Sequence, residues 1–138
     1  MIRVTRGSRG CAKLRATNRN GVLMKIPPVL SAFYQAHRNT PERSGVIFDF
    51  LTADDRQYRI YSHREAISFN EDEIEDRLPD HFVVGNNAGD EYLCVENVTG
   101  KVVQIPMSPI DVRDAIDIAQ SLDELLARAL RDEQGELI

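Results

Sequence analysis

The amino-acid sequence predicts an α+β fold, a mostly antiparallel sheet with an N-terminal and a C-terminal helix packed on it. Two observations lead to this prediction. Five runs of β-type residues follow one another through the middle of the chain, interrupted by one short helical insertion. An amphipathic helical pattern lies on each side of these runs, whereas a parallel sheet requires strands and helices to alternate.

The first helix is predicted from two prolines and an apolar stripe. Pro27 and Pro28 favour a helix start, because the first helical amides need no intrahelical acceptor. The helix should end near Asn39, before Thr40 and Pro41, since a residue that precedes proline is pushed out of the helical region. Its stripe recurs at helical spacing and consists of Val29, Leu30, Phe33, Tyr34 and His37.

The first predicted hairpin joins two β-rich runs across a polar spacer. Residues 45–51 and 57–62 are the runs, and residues 53–55 form the turn-prone spacer between them. HFVVG, residues 81–85, is the next strand candidate. These three strands make up the first half of the predicted sheet.

The stretch GNNAGD, residues 85–90, leads into a second predicted hairpin. EYLCVE (91–96) alternates in polarity and pairs with KVVQIP (101–106) across the turn at residues 98–100. GNNAGD lacks the lysine of a phosphate loop and precedes a strand rather than a helix, so we do not expect it to bind phosphate. Its glycines and asparagines instead fit turn positions with positive φ.

A capping box predicts the helical insertion between the two hairpins. Within residues 63–79, Asn70 and Glu73 have the spacing of such a box, ahead of a short acidic helical turn. The acidic run NEDEIED (70–76) lacks the ligand spacing of an EF-hand loop. We therefore interpret it as a solvated helical face and predict no metal site there.

The last helix is predicted from a second capping box, after a loop with a short helical piece at residues 107–120. Ser121 and Glu124 form this box, so the helix should begin at Leu122. Gly135 lies where a helix stop is expected. The apolar stripe of this helix consists of Leu122, Leu125, Leu126, Ala129 and Leu130.

Charge divides the chain into a basic head and an acidic body. Residues 1–43 carry nine basic side chains and one acidic side chain, a net charge of +8; residues 44–138 carry eight basic and twenty-one acidic side chains, a net charge of −13. Because an acidic body repels phosphates, we expect no nucleic-acid partner and expect the head to neutralise the body. We predict one domain over residues 26–138, preceded by the basic segment 1–25.

No catalytic or cofactor motif is found in the sequence. His37, His63 and His81 belong to no recognised motif, and Cys11 and Cys94 have neither metal-binding nor redox spacing. We therefore predict a protein that is not an enzyme, with no catalytic residue, no metal and no cofactor. The N-terminus lacks the apolar stretch of a secretory signal and no run could span a bilayer, so we expect a cytoplasmic protein without a membrane partner.

Three short motifs follow one another between residues 26 and 131. They are a proline-led helix at 27–39, a Gly85 and Gly89-Asp90 segment before an alternating strand, and a helix start formed by Ala119, Ser121, Leu122, Glu124, Leu125 and Leu126. In order and spacing they resemble the SUKH superfamily, whose best-known branch is named for a fungal regulator of cell-wall synthesis. The chain departs from the usual pattern at residues 39–41, which replace an Asn-Gly-Gly, and at Leu122, where an aromatic residue is common.

The resemblance implies a protein-binding role. Many bacterial members resemble or serve as immunity proteins that bind a cognate toxin, often a nuclease, and an acidic body could meet a basic nuclease surface. A regulatory module without a toxin, as in the fungal branch, is one alternative, and a hydrolase or small-ligand carrier is another. The candidate contact residues are acidic side chains and three tyrosine anchors: Asp54, Asp55, Tyr58, Tyr61, Glu71, Asp72, Glu73, Glu75, Asp76, Asp90, Glu91 and Tyr92.

Overall fold

The computed structural model describes residues 26–75 and 77–138. The predicted basic segment 1–25 and the candidate residue Asp76 lie outside these ranges. The helices and strands are, in chain order, α1 (Pro28–Ala36), β1 (Val46–Leu51), β2 (Gln57–Tyr61), α2 (His63–Phe69), β3 (His81–Asn86), β4 (Glu91–Glu96), β5 (Val102–Pro106), β6 (Ile116–Ala119) and α3 (Leu122–Ala127). A π-helical segment, Asn70–Ile74, extends α2, and a 3₁₀ turn, Val112–Asp114, precedes β6.

The strands form one six-stranded sheet in the order β1-β2-β3-β4-β5-β6, and every pair of neighbours is antiparallel. The predicted α+β fold class is therefore confirmed. Both predicted hairpins and the strand between them are present. The prediction of a loop with a short helical piece over residues 107–120 is wrong in part, because residues 116–119 form the edge strand β6. The run IDIA is only four residues long, which is too short for its alternation to distinguish a strand from the surrounding loop.

Helix α1 packs on the first face of the sheet. Phe48 of β1 lies opposite Ile60 of β2 on this face, and its ring lies 6.3 Å from that of Phe33, centroid to centroid. Leu30 and Tyr34 of α1 are also buried, whereas Val29 from the predicted stripe is 39% exposed. The helix ends at Ala36, three residues before the predicted end.

Helix α2 packs on the second face. The ring of Phe69 lies 5.5 Å from the rings of both Tyr61 and Tyr92, which belong to β2 and β4. Since helices cover both faces, consecutive residues of the central strand are buried, and residues 93–95 of β4 are all fully inaccessible. The sequence had indicated only a short acidic turn in this region, so this covering helix was missed.

The capping box that starts α2 differs from the predicted one. Ser62 is the N-cap, and its hydroxyl accepts a hydrogen bond from the amide of Glu65 at 3.1 Å. Asn70 is buried instead, and its side-chain amide donates to the carbonyl oxygens of Ala66 at 2.7 Å and Val83 at 2.8 Å. Its side-chain oxygen accepts from the amide of Val83 at 2.8 Å. The prediction of Asn70 and Glu73 as a capping box is therefore wrong, because Asn70 binds the backbone of a strand.

The glycines and asparagines of GNNAGD do not occupy positive-φ positions, contrary to the prediction. The residue with positive φ in this turn is Ala88, at 63°. Gly85 instead lies where β3 crosses close to β2, and a Cβ atom at that position would lie 1.8 Å from the carbonyl oxygen of Arg59. Gly85 is therefore required for the close approach of two strands.

The predicted start of the last helix is confirmed. The hydroxyl of Ser121 accepts a hydrogen bond from the amide of Glu124 at 3.0 Å, and the Glu124 carboxylate accepts from the amide of Gln120 at 2.8 Å. The prediction of a stop at Gly135 is wrong, because α3 ends at Ala127. Gly135 belongs to a later turn, in which its amide donates to Asp132.

The end of α3 contacts both edge strands of the sheet. The guanidinium of Arg128 donates to the carbonyl oxygen of Ile118 in β6 at 2.8 Å. Two residues later, the amide of Leu130 donates to the carbonyl oxygen of Leu51 in β1, also at 2.8 Å. The residues that follow α3 therefore link the two edge strands of the sheet.

Candidate functional site

The candidate acidic residues fall into two groups on different parts of the fold. The β1–β2 turn and the β3–β4 turn lie at the same end of the antiparallel sheet, which we call the turn end. The centres of these turns are two strand spacings apart, about 10 Å. Four candidates lie here, and we call them the turn-end acids: Asp54, Asp55, Asp90 and Glu91. The structure therefore brings together residues that are up to 37 positions apart in the sequence.

The β1–β2 turn holds one of its two carboxylates in a local network. The hydroxyl of Thr52 donates a hydrogen bond to Asp54, and Arg56 forms an ion pair with Asp54 at 3.2 Å. The Thr52 hydroxyl is the main cause that lowers the pKa of Asp54, and the charge of Arg56 acts in the same direction. Asp55 is exposed and has a φ of 64°. Asp54 is thus partly neutralised by its own turn, whereas Asp55 projects from the tip.

The β3–β4 turn holds Glu91 in a fixed position. The Oε1 atom of Glu91 accepts hydrogen bonds from the side-chain amides of Gln104 at 2.7 Å and Asn87 at 3.1 Å. The Asn87 side-chain oxygen in turn accepts from the amides of Gly89 at 3.0 Å and Glu91 at 3.2 Å. Glu91 itself is half-buried, and the neighbouring Asp90 is exposed. The two adjacent carboxylates therefore differ in burial and in hydrogen bonding.

Gln104 was not among the predicted site residues, because little in its sequence context marks it as functional. It lies in β5 among apolar residues and is only 7% exposed. The available signal was one amide side chain within the otherwise apolar run KVVQIP, and such a residue is usually buried only with a hydrogen-bond partner. Its partner, Glu91, could not be identified without the register of β4 and β5.

The second acidic group lies on the π-helical segment and the residue after it, and we call its members the helix acids: Glu71, Asp72, Glu73 and Glu75. Asp72, Glu73 and Glu75 are exposed, and Glu71 is half-buried. The hydroxyl of Ser68 donates to Asp72 at 3.2 Å. This group follows α2 on the second face of the sheet, so the candidate acids do not form one continuous site.

Two of the three predicted tyrosine anchors are wrong. Tyr58 is 2% exposed and Tyr61 is 9% exposed. The ring of Tyr58 packs across the strand pair against Phe50, 6.0 Å away, and the hydroxyl of Tyr61 accepts a hydrogen bond from the side-chain amide of Asn86 at 3.1 Å. Both rings therefore belong to the core. Tyr92 is half-buried and keeps an accessible edge.

The described histidine and cysteine side chains form no evident reactive centre. Among residues 26–75 and 77–138, no three His, Cys, Asp or Glu side chains are grouped closely enough to hold a metal ion. His63 stacks on Tyr34 at 5.2 Å, and burial lowers its pKa below the usual value. Burial also raises the pKa of the Cys94 thiol to about 12, so this thiol is not a nucleophile at neutral pH. None of the helices in the described part of the chain is long and apolar enough to cross a membrane.

Comparisons of this chain with protein-family models, curated proteins and solved structures find no match. The resemblance to the SUKH superfamily therefore depends on the sequence motifs alone and stays a prediction.

Proposed function

We propose that this chain is a non-enzymatic protein-binding domain, an immunity protein that neutralises a cognate toxin, such as a nuclease, through its acidic turn end. The observation that carries the proposal is the charge of the body. Residues 26–138 contain all twenty-two acidic residues and ten of the seventeen basic ones, a net charge of −12. Such a body attracts a basic partner over a distance of about 8 Å at physiological salt and raises its association rate.

The turn end is the part of this surface that best suits a partner. Four carboxylates lie in or next to two neighbouring turns, and Asp54, Asp55 and Asp90 are exposed. Arg56 is the one basic residue within these two turns, and it is engaged with Asp54. A nuclease presents basic side chains to the phosphates of its substrate, and carboxylates at this spacing could occupy the same positions. The order of the SUKH-like motifs also supports an immunity role.

The experiment measures complex formation by isothermal titration calorimetry. The full chain is titrated with the purified toxin domain encoded by the gene next to its own. We expect a dissociation constant below micromolar that weakens as salt is raised. Absence of a complex at micromolar concentration and low salt contradicts the proposal.

A matched pair of variants locates the surface. Changing Asp55→Asn and Asp90→Asn together removes two turn-end charges, and changing Asp72→Asn and Glu75→Gln removes two helix acids. Both double variants change the net charge equally, so a general charge effect cancels. We expect the first to weaken binding about tenfold more than the second, the equivalent of about 1.4 kcal/mol. Equal losses would place the contact elsewhere.

A further inference from the structure

The carboxylate of Glu91 is held by a buried residue that has no other evident use. Gln104 is only 7% exposed, and its side-chain amide donates a hydrogen bond to Glu91 at 2.7 Å. Burying an amide costs free energy unless it is hydrogen-bonded. This interior amide is therefore used to fix one carboxylate at the rim of the sheet, and Asn87 supplies the second donor from the turn.

One oxygen of this carboxylate is saturated and the other is open. Each carboxylate oxygen has two acceptor positions, and Oε1 of Glu91 already accepts from Gln104 and Asn87. Among the described residues, the Oε2 atom has no hydrogen-bond donor and Glu91 has no ion-pair partner within 4.0 Å. The guanidinium of Arg56 forms its ion pair with Asp54 at 3.2 Å, and its charge interacts with Glu91 only at longer range. A negative charge is thus held in place with one face available.

An exposed apolar side chain lies on the other side of Gln104 from this charge. Ile116 of β6 is the antiparallel partner of Gln104, so the two side chains lie on the same face of the sheet, about 5 Å apart. Ile116 is 54% exposed, although it adjoins a buried residue. A fixed carboxylate and an open aliphatic surface, both adjoining Gln104, match a side chain that has an apolar stem and a cationic head.

We propose that Glu91, positioned by Gln104 and Asn87, binds an arginine side chain of the protein partner, with the arginine stem packed on Ile116. Arginine fits better than lysine because its guanidinium is more weakly hydrated and loses less on entering a half-buried site. It can also direct two N–H groups at the open oxygen. This inference rests on the proposed function and names the group that the turn end takes from its partner.

The site is tested without the protein partner by nuclear magnetic resonance. The probe is N-acetyl-arginine-N-methylamide, and the matched probe is the citrulline derivative, which has nearly the same shape but no charge. We expect saturable shifts, in the millimolar range, of the side-chain amide signals of Gln104 and Asn87 with the arginine probe only. No saturable shift, or equal shifts with both probes, overturns the inference.

Two variants of the full chain complete the test. Glu91→Gln keeps the size of the side chain and should abolish the shifts, whereas Asp72→Asn, an exposed helix acid away from the turn end, should leave the affinity for the probe within about twofold. The spectra themselves report whether each variant is folded. Shifts that persist in Glu91→Gln overturn the inference. If that variant does not fold, the comparison of the two probes on the unaltered chain still tests the site.

The outcome is separable from that of the proposed function. If the toxin domain binds and Glu91→Gln weakens the complex no more than Asp72→Asn does, the arginine site is wrong and the function stands. If the arginine probe binds at Glu91 and no toxin complex forms, the site stands and the immunity function is wrong.

Discussion

Asn70 and Gln104 are both buried amide side chains, and they use their hydrogen bonds in opposite ways. Asn70 is 4% exposed and binds the backbone of Val83 through both its amide and its oxygen. Gln104 is 7% exposed and donates to the half-buried carboxylate of Glu91. The first joins α2 to the sheet, and the second prepares a charge at the surface. The difference shows that a buried amide can bind either the backbone of the core or a carboxylate at the rim of the sheet, and we propose that the second arrangement serves recognition.

The largest loss of stability is expected when Asn70, the buried amide that binds only backbone groups, is replaced. Replacing Asn70→Ala leaves the amide and carbonyl of Val83 without the side-chain partners that they have in the folded protein. Each buried unpaired group costs about 1 to 3 kcal/mol, so the free energy of unfolding should fall by about 3 kcal/mol. Urea unfolding followed by circular dichroism measures it.

The control for Asn70→Ala is Ser68→Ala, at an exposed position two residues earlier in α2. It should change the free energy of unfolding by less than about 0.5 kcal/mol. If Asn70→Ala costs less than about 1 kcal/mol, the side chain does not hold α2 to the sheet as described.

A smaller loss of stability is expected at Gly85, where β3 approaches β2 closely. A Cβ atom at Gly85 would lie 1.8 Å from the carbonyl oxygen of Arg59, so Gly85→Ala must push β2 and β3 apart. We expect a loss of about 2 kcal/mol, by analogy with other overpacked sites. The matched change is Gly89→Ala, in the turn that follows β3. A Cβ atom there would meet only the Asn87 side chain, at 3.3 Å. Thermal unfolding of both variants measures the difference. Equal melting temperatures would contradict the requirement for glycine at position 85.

The smallest change in stability, and one of opposite sign, is expected at Tyr34, whose buried hydroxyl has no hydrogen-bond partner among the described residues. Burial also raises the pKa of Tyr34 well above its usual value, so the hydroxyl stays neutral. Tyr34→Phe should therefore raise the free energy of unfolding by about 1 kcal/mol. A loss of stability by chemical denaturation would show that the hydroxyl has a partner.

Elements with a strong local pattern were predicted correctly. Pro28 at the start of α1 and Ser121 at the start of α3 both act as expected, because capping depends on a few neighbouring residues. The alternating run of β4 and its partner β5 were found for the same reason. The alternating run of β6 is only four residues long, and its existence depends on pairing with β5.

The misassigned residues depend on contacts that are distant in the sequence. Asn70 has the spacing of a capping residue, yet it bonds to Val83, thirteen positions later. Tyr58 and Tyr61 were both predicted as exposed anchors, but helices cover both faces of the sheet and both rings are buried. For the candidate site, the acids of the turn end could be identified from charge, whereas the support of Glu91 by Gln104 required the register of two strands.

The most direct test is hydrogen exchange of the chain, alone and in complex with the toxin domain that we propose as its partner. The account predicts slower exchange on binding at the turn end, in residues 52–56 and 87–91, with little change in the helix acids. Protection confined to the π-helical segment, or protection nowhere in the chain, would contradict the claim that the turn end is the binding surface.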